Sequence, residues 1–443
     1  MRKPDVVAIH PAAGILATLT LFTLFAGDFW RDLIGWPAYL ALAGALAVGN
    51  LIWLFLARPE MTVRKWPKLL LLFVALAIAS IAWARYTGVT GPGGHVDTTL
   101  GVLAMLCAGL GGLVPALVFT PHQLLSVLGA TLRWVIGLSM LFELIVAVVI
   151  RHPILPIARV AGVDYTQKHL PTPFYWSRNL LFHGGQIQGI VGNGDLLAMI
   201  VLVGLIVFGI QRAEQLSRPF WGTFWIVLAA IELVLARSAT VWVALLGTAV
   251  ALGFALWARR IGQVGRGKLY AAGVGLLVIV VGGVLLAWTE VTALFGKTPT
   301  LTGRTDIWKQ VIPLAQEHPW FGWGWLGYWV PWAKPFDGLA VRSGVTYLQA
   351  HNAWLDLWLQ LGIVGLVVFA LLALTTLGRA WFFAVDRPMT DASTRHPFTA
   401  VTLLPLLVFS AQLVQSFAES RMLLESGFAM LVMWAVLTKK QRP

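Results

Sequence analysis

The stretch LLAMIVLVGLIVFGI, residues 196–210, contains no charged or hydrogen-bonding side chain. A helix that crosses a bilayer needs about 20 consecutive, mostly apolar residues. The run that surrounds this stretch, 187–211, supplies them. Comparable runs lie near 11–28, 33–56, 68–86, 98–120, 123–150, 219–236, 238–258, 269–290, 351–377, 398–417 and 421–438. The pattern predicts an all-α polytopic membrane protein with about twelve transmembrane helices. Spans 219–236 and 238–258 are separated by almost nothing, so a tight hairpin is expected around Arg237 and Ser238.

Composition agrees with a bilayer as solvent. Of 443 residues, 58% are hydrophobic and 12% charged, against roughly 25% charged in a soluble domain. The net charge of +13 is scattered among the apolar runs. Membrane lipids, not nucleic acid, are therefore the expected surroundings. Cys107 is the lone cysteine, which excludes an internal disulfide and a Cys-based metal site. The run from Ala12 to Ala26 imitates a signal peptide, but so many spans follow that it is expected to be a retained first helix.

The basic residues orient the chain, because short cytoplasmic loops collect Lys and Arg. Arg2, Lys3, Arg58, Arg64, Lys65, Arg212, Arg218, Arg259, Arg260, Arg379, Lys439 and Lys440 fall on one side. Arg31, Arg85, Arg237 and Arg421 fall on the other. Both termini are expected in the cytoplasm. The chain then divides into N-terminal spans (1–150), an outer loop (151–186), central spans (187–290), a long outer loop (291–350) and C-terminal spans (351–443).

The long outer loop contains its own helix. Thr302 can cap it, and Ile307, Val311 and Leu314 form one apolar stripe. His318-Pro319 ends it. Such a helix is expected to lie along the membrane surface. Thr302-Gly303-Arg304 places free backbone N–H groups beside a guanidinium, a combination that suits phosphate. The following Trp320-Phe321-Gly322-Trp323-Gly324-Trp325 reads either as an interfacial anchor or as a platform for sugar or lipid. His351 and Asn352 open the next span, and Asp356 lies too far around that helix to pair with His351. Glu143, Asp195, Glu232, Arg237 and Glu419 are polar groups near membrane depth, where they are costly and face a cavity or a partner.

The run Thr302-Gly303-Arg304-Thr305-Asp306-Ile307-Trp308, then His318-Pro319-Trp320-Phe321-Gly322-Trp323-Gly324, then His351-Asn352, resembles the O-antigen ligase and polymerase superfamily, closest to the ligases. Gln188-Gly189 with Asn193, Asp195, Leu197 and Ala198 looks like that family's central glycine-asparagine motif, and Ala236-Arg237-Ser238 like its outer arginine turn. Gln186 stands where many relatives have arginine, and Asp195 where a second asparagine is common. Glu419 loosely matches an acidic position near the last spans. The resemblance covers about 186–435.

It implies a membrane glycosyltransferase of the GT-C type. Such enzymes move a glycan from a polyprenyl (undecaprenyl) diphosphate carrier to a lipid- or glycan-linked acceptor, at the outer face of the cytoplasmic membrane. By the same resemblance the transfer needs no metal or other cofactor and inverts the anomeric centre. Arg237 and Arg304 are then the diphosphate-binding and catalytic arginines, and His351 is the catalytic histidine. Gln188, Asn193, Asp195, Asn352, Glu419 and Trp323 are candidate donor or acceptor contacts. A polysaccharide polymerase with the same donor is the alternative within the family. A lipid or small-molecule transporter is the alternative outside it, although no internal repeat of the kind common in transporters is found.

Overall fold

The computed structural model describes residues 9–159, 163, 165, 170–286, 304–342, 345–387 and 397–440. Each of the twelve apolar runs falls on a helix. These are α1 (Pro11–Phe25), α2 (Gly27–Ala57), α3 (Lys68–Ala79), α4 (Gly94–Val118), α5 (Pro121–Ile145) and α6 (Gly194–Ala213). They continue with α7 (Pro219–Ala236), α8 (Ala239–Ile261) and α9 (Arg266–Leu286). After the loop helix α10 (Arg304–Glu317) come α11 (Ala353–Val385), α12 (Leu404–Ser416) and α13 (Glu425–Lys440). Among the described residues, seven helices are long and apolar enough to cross a membrane, and Pro11–Phe25, Lys68–Trp83 and Val401–Ser416 are shorter apolar helices. The chain is a multi-pass helical membrane protein.

Local chemistry sets the helix ends. Pro121 follows Thr120, whose side chain forms a reciprocal capping box with Gln123. Asn193 caps α6 by accepting from the backbone N–H of Asp195 and Leu196, and Asn352 caps α11 in the same way on Trp354 and Leu355. The first central span therefore starts at Gly194 rather than at 187. Gly192 is left-handed (φ 63°) and residues Gly189–Val191 form a 3-10 turn before it. The last span likewise starts at Glu425, because Arg421–Leu423 is a 3-10 turn.

The middle of the bundle is α13 and α6. Residues 426–438 of α13 are all buried, as is most of α6, which fits helices that are apolar on every face. Helix α13 packs along α4, α6 along α7, and α12 along α8. The outer helices present large side chains outward, including Phe55 on α2, Phe220 on α7 and Leu246 on α8. In water these would be a liability; in a bilayer they face lipid tails.

Two parts of the long loop are built into the fold. Helix α10 packs against the bundle. Its buried face is Ile307, Val311 and Ala315, with Leu314 only half-buried, and it packs on α11. Trp308 Nε1 donates to the Ala350 carbonyl at 2.9 Å and Trp323 Nε1 to the Leu314 carbonyl at 2.9 Å, which fastens it there. Thr302 and Gly303, and with them the expected cap, lie outside the described residues.

The tryptophan-glycine run is also more than an interfacial anchor. Helix α11 breaks at Gly362 (φ 67°, ψ −169°), and residues 319–324 run through the break. Ile363 N–H donates to the Pro319 carbonyl at 2.7 Å, Trp323 N–H to Leu359 at 3.0 Å and Gly324 N–H to Gln360 at 2.9 Å. The broken helix thus gives its orphaned groups to the loop, and the loop fills the gap. Trp325 and Trp329 are fully buried behind it, while Trp320 and Phe321 remain outside.

The close approach depends on glycine. A Cβ at Gly362 would sit 2.2 Å from the Trp320 carbonyl carbon, in a backbone conformation open essentially to glycine alone. We expect Gly362→Ala to destabilise the protein by about 1–3 kcal/mol, read as a lowered unfolding midpoint in detergent. An unchanged midpoint would show that the break tolerates a side chain.

Candidate active site

The site is built on the turn between α12 and α13, where Glu419 is 7% exposed. Its Oε1 accepts from Arg304 Nη2 at 2.6 Å, and its Oε2 accepts from His351 Nδ1 at 2.9 Å and from Gln349 Nε2 at 3.4 Å. Arg304 begins α10, and His351 precedes the cap of α11 in a left-handed conformation (φ 51°). Three distant stretches of chain thus meet on one carboxylate. Burial by itself would raise the Glu419 pKa; the His351 imidazole, Arg304 and Arg421 outweigh it and hold the carboxyl below its usual range. Because an ionised carboxylate only accepts hydrogen bonds, His351 Nδ1 carries the proton, and in the neutral imidazole Nε2 keeps the lone pair.

A second buried carboxylate holds the turn that carries the histidine. Asp356 accepts from Trp329 Nε1 at 2.8 Å, from the Ala350 N–H at 3.0 Å and from Ser420 Oγ. Ser420 Oγ also accepts from the Asn352 N–H at 3.2 Å. Asp356 and His351 make no hydrogen bond with each other, as the helical spacing implied. Instead Asp356 fixes the backbone on either side of the histidine, a role that spacing alone does not reveal.

Arg421 extends the site. It donates to Tyr328 Oη at 2.6 Å and to Glu425 Oε2 at 3.0 Å. Burial opposes its charge, but the neighbouring Tyr328 and Glu425 outweigh that and raise its pKa. Glu425 in turn accepts from Arg31 Nη1 at 2.8 Å, and Arg31 is gripped by Asp28. Sequence reading placed Arg31 and Arg421 only among the outer bases, and it did not single out Asp28, Tyr328 or Glu425.

Arg237 stands apart. It ends α7 in a left-handed conformation (φ 46°) and its side chain is exposed. Among the described residues no hydrogen bond or ion pair joins it to Arg304, Glu419 or His351. Its surroundings are the central turn, since the Ile187 N–H donates to the Leu235 carbonyl at 3.2 Å. In that turn Gln188 Nε2 donates to the Gly192 carbonyl at 2.7 Å, and Gln188 Oε1 accepts from Arg178 Nε at 3.1 Å. Arg178 also donates to the Gln186 carbonyl at 3.0 Å. Arg178 is thus a base seated on the central turn that the motif did not mark. Gln186 reaches Asp195 at 3.5 Å.

The remaining candidates are mostly structural. Asn193 and Asn352 spend their side chains as helix caps. Trp323 has its N–H on Leu314 and its ring between Tyr86 and His318. Glu143 accepts from the N–H groups of Gln188 and Gly189 at 2.9 and 2.8 Å and from Ser177 Oγ at 2.9 Å, pinning the central turn from below. Glu232 is buried with no hydrogen-bond partner among the described residues. No group of three His, Cys, Asp or Glu side chains among the described residues could hold a metal ion.

The lowered pKa of Glu419 makes its contribution present above the unfolded carboxyl value of about 4.3 and lost as pH falls through the lower folded value. Breaking a buried pair by removing one charge costs roughly 3–5 kcal/mol. Glu419→Gln is therefore expected to lower the unfolding midpoint at neutral pH, with the gap to wild type closing below pH ~4. A gap that stays constant through the acid range would show that the carboxylate charge does not hold the site together.

Comparison with known proteins agrees with this layout. Residues 224–370, which include Arg237, Arg304, Trp323, His351 and Asn352, match the family model described as O-antigen ligase. The chain is also 31% identical over 182 residues to the exopolysaccharide production protein ExoQ of Rhizobium meliloti (strain 1021). That match spans 37% of this chain and 38% of the relative. A helical membrane bundle, a loop helix at Arg304–Glu317 and a histidine held at the mouth of the next span coincide with the matched region, so residues 224–370 are similar to the O-antigen ligase family.

Proposed function

We propose that this protein is an O-antigen ligase-like glycosyltransferase that moves a glycan from a polyprenyl diphosphate carrier to a lipid- or glycan-linked acceptor. The observation that carries this reading is the convergence of Arg304 and His351 on buried Glu419. A general base needs an unprotonated nitrogen near the acceptor hydroxyl, and His351 Nε2 has one when Nδ1–H is held by the carboxylate. As the acceptor oxygen bonds to the anomeric carbon, the bond from that carbon to the diphosphate breaks. The electron pair leaves with the diphosphate, and the acceptor proton passes to Nε2. Glu419 stabilises the imidazolium that forms.

The leaving diphosphate gains charge during this step. Guanidinium groups that face it in a water-poor site favour the transition state over the ground state. Arg304 gives Nη2 to Glu419 and has further N–H donors for phosphate oxygens. Arg237 and Arg178, beside the central turn, supply positive charge from the other side. In this reading arginines carry the charge that a metal carries elsewhere, and attack opposite the leaving group inverts the anomeric centre. In this reading the short basic loops and both termini are cytoplasmic, and the site faces the outer side of the cytoplasmic membrane.

The same chemistry serves a polymerase, in which the acceptor is a second carrier-linked glycan. The name of the Rhizobium relative, an exopolysaccharide production protein, favours this second reading. The matched family description favours the first.

With purified protein in lipid nanodiscs and an undecaprenyl diphosphate-linked oligosaccharide, we expect transfer to fall about 100-fold or more in His351→Ala and in Arg304→Ala. Arg237→Ala is expected to lower turnover in the same range, and EDTA to leave it unchanged. Near wild-type transfer by His351→Ala and Arg304→Ala, in folded protein, would overturn the assignment. Comparing lipid-linked and glycan-linked acceptors separates ligase from polymerase.

A further inference from the structure

A polar cavity of about 360 Å³ opens between the first turns of α2 and residues 158–159 of the outer loop. Its chemistry is carried by Asp28, Arg31, Asp32, Trp36 and Arg159. It is outside the region matched to the family, and it touches both halves of the site. Arg31 reaches Glu425, which pairs with Arg421 beside Glu419. On the other side, the Asp32 carboxylate faces Gly192 of the central turn, where a Cβ would lie 3.2 Å from Asp32 Oδ2.

We propose that this cavity is a saccharide-binding subsite for the glycan part of a substrate. The proposal rests on the glycosyltransferase reading for its context, and on three physical features for its content. First, the charges balance. The lining has two carboxylates and two guanidiniums, and Asp28 is already committed to Arg31. Such a lining favours neither a phosphate nor a cation, and it suits an uncharged ligand rich in hydroxyls. Second, Asp32 accepts no hydrogen bond from another side chain or backbone group among the described residues, although its backbone carbonyl is taken by the Ala158 N–H at 2.8 Å. Burial and the neighbouring Asp28 raise the Asp32 pKa to about 7, so near neutral pH its open oxygens can accept from sugar hydroxyls or, when protonated, donate to one.

Third, there is an aromatic wall. The Arg31 guanidinium lies 4.9 Å from the Trp36 ring centroid, which fixes the indole, and the ring is still 48% exposed. A sugar ring stacks its C–H face on such a surface while its hydroxyls reach the acids. Gly35 makes the arrangement possible. Its positive φ (79°) breaks α2, and a Cβ there would lie 3.4 Å from the Ala158 Cβ across the cavity. The volume is at the small end of ligand pockets, about 300–1,000 Å³, and suits one or two sugar rings.

The test is binding to the full-length protein in nanodiscs, with three probes. These are the envelope oligosaccharide of the source cells linked to undecaprenyl diphosphate, the same oligosaccharide released from its lipid, and undecaprenyl diphosphate alone. Asp32→Asn and Trp36→Ala are each expected to weaken glycan binding at least tenfold, with binding of undecaprenyl diphosphate alone unchanged. Trp36→Phe is expected to restore affinity, which separates loss of stacking from misfolding. A defect confined to the carrier-linked probe assigns the pocket to the donor glycan, and a defect with the released oligosaccharide as well assigns it to the acceptor. Equal affinity of variants and wild type for both glycan probes, or no glycan binding by wild type, overturns the pocket. Binding that depends on Asp32 and Trp36 in a wild-type protein without transfer activity would overturn the enzyme reading and leave the pocket standing.

Discussion

A carboxylate taken out of water must find positive partners or lose its charge, and one end of this bundle is organised around that demand at Glu419. Its two oxygens draw in a guanidinium from the start of α10 and an imidazole from the approach to α11. Neither partner is near it in sequence. Without the carboxylate, Arg304 and His351 would be two like charges pressed into a poorly hydrated recess whenever the histidine is protonated. With it, the histidine has a defined tautomer and a defined orientation. A carboxylate behind an imidazole is a general way to fix which ring nitrogen carries the proton and how the ring is turned.

Rigid neighbours keep that arrangement in register. Asp356 collects three donors from Trp329, Ala350 and Ser420 and so ties the turn before α11 to the turn before α13. The break at Gly362 then brings the tryptophan-glycine loop into the helix itself. Loop, kink and buried indoles make one unit, and α10 rests on it through Trp308 and Trp323. The described part of the long loop, from Arg304 onward, is therefore part of the fold. A mobile lid would need few such bonds.

Much was legible in the sequence. Runs of apolar residues located the helices of the bundle, with boundaries off by up to eight residues, because hydrocarbon selects for such runs so strongly. Errors in span boundaries came where polar caps and left-handed glycines cut the helix short, as at Gly192-Asn193. The loop helix was found by periodicity, with its expected cap at Thr302 outside the described residues, and His351 stood out by its place at a helix mouth. Trp323, Asn193 and Asn352 were recognised as unusual, but the motif could not say that their side chains are spent on the backbone. Arg237 was grouped with Arg304 and His351 by resemblance. The structure instead seats it beside the Gln188 turn, where Arg178 also points.

What the sequence by itself determined is the solvent and the elements: a chain this apolar must be helical and membrane-embedded, with most of its charges at helix ends and in loops. What only the tertiary structure decided is which charges meet. Hydropathy varies along the chain and is local, so it can be read one window at a time. The pairing of Glu419 with Arg304 and His351 joins positions up to 115 residues apart, and depends on how α10, α11 and the turn before α13 pack. No window of sequence contains that geometry. The partner of a buried charge is chosen by the fold.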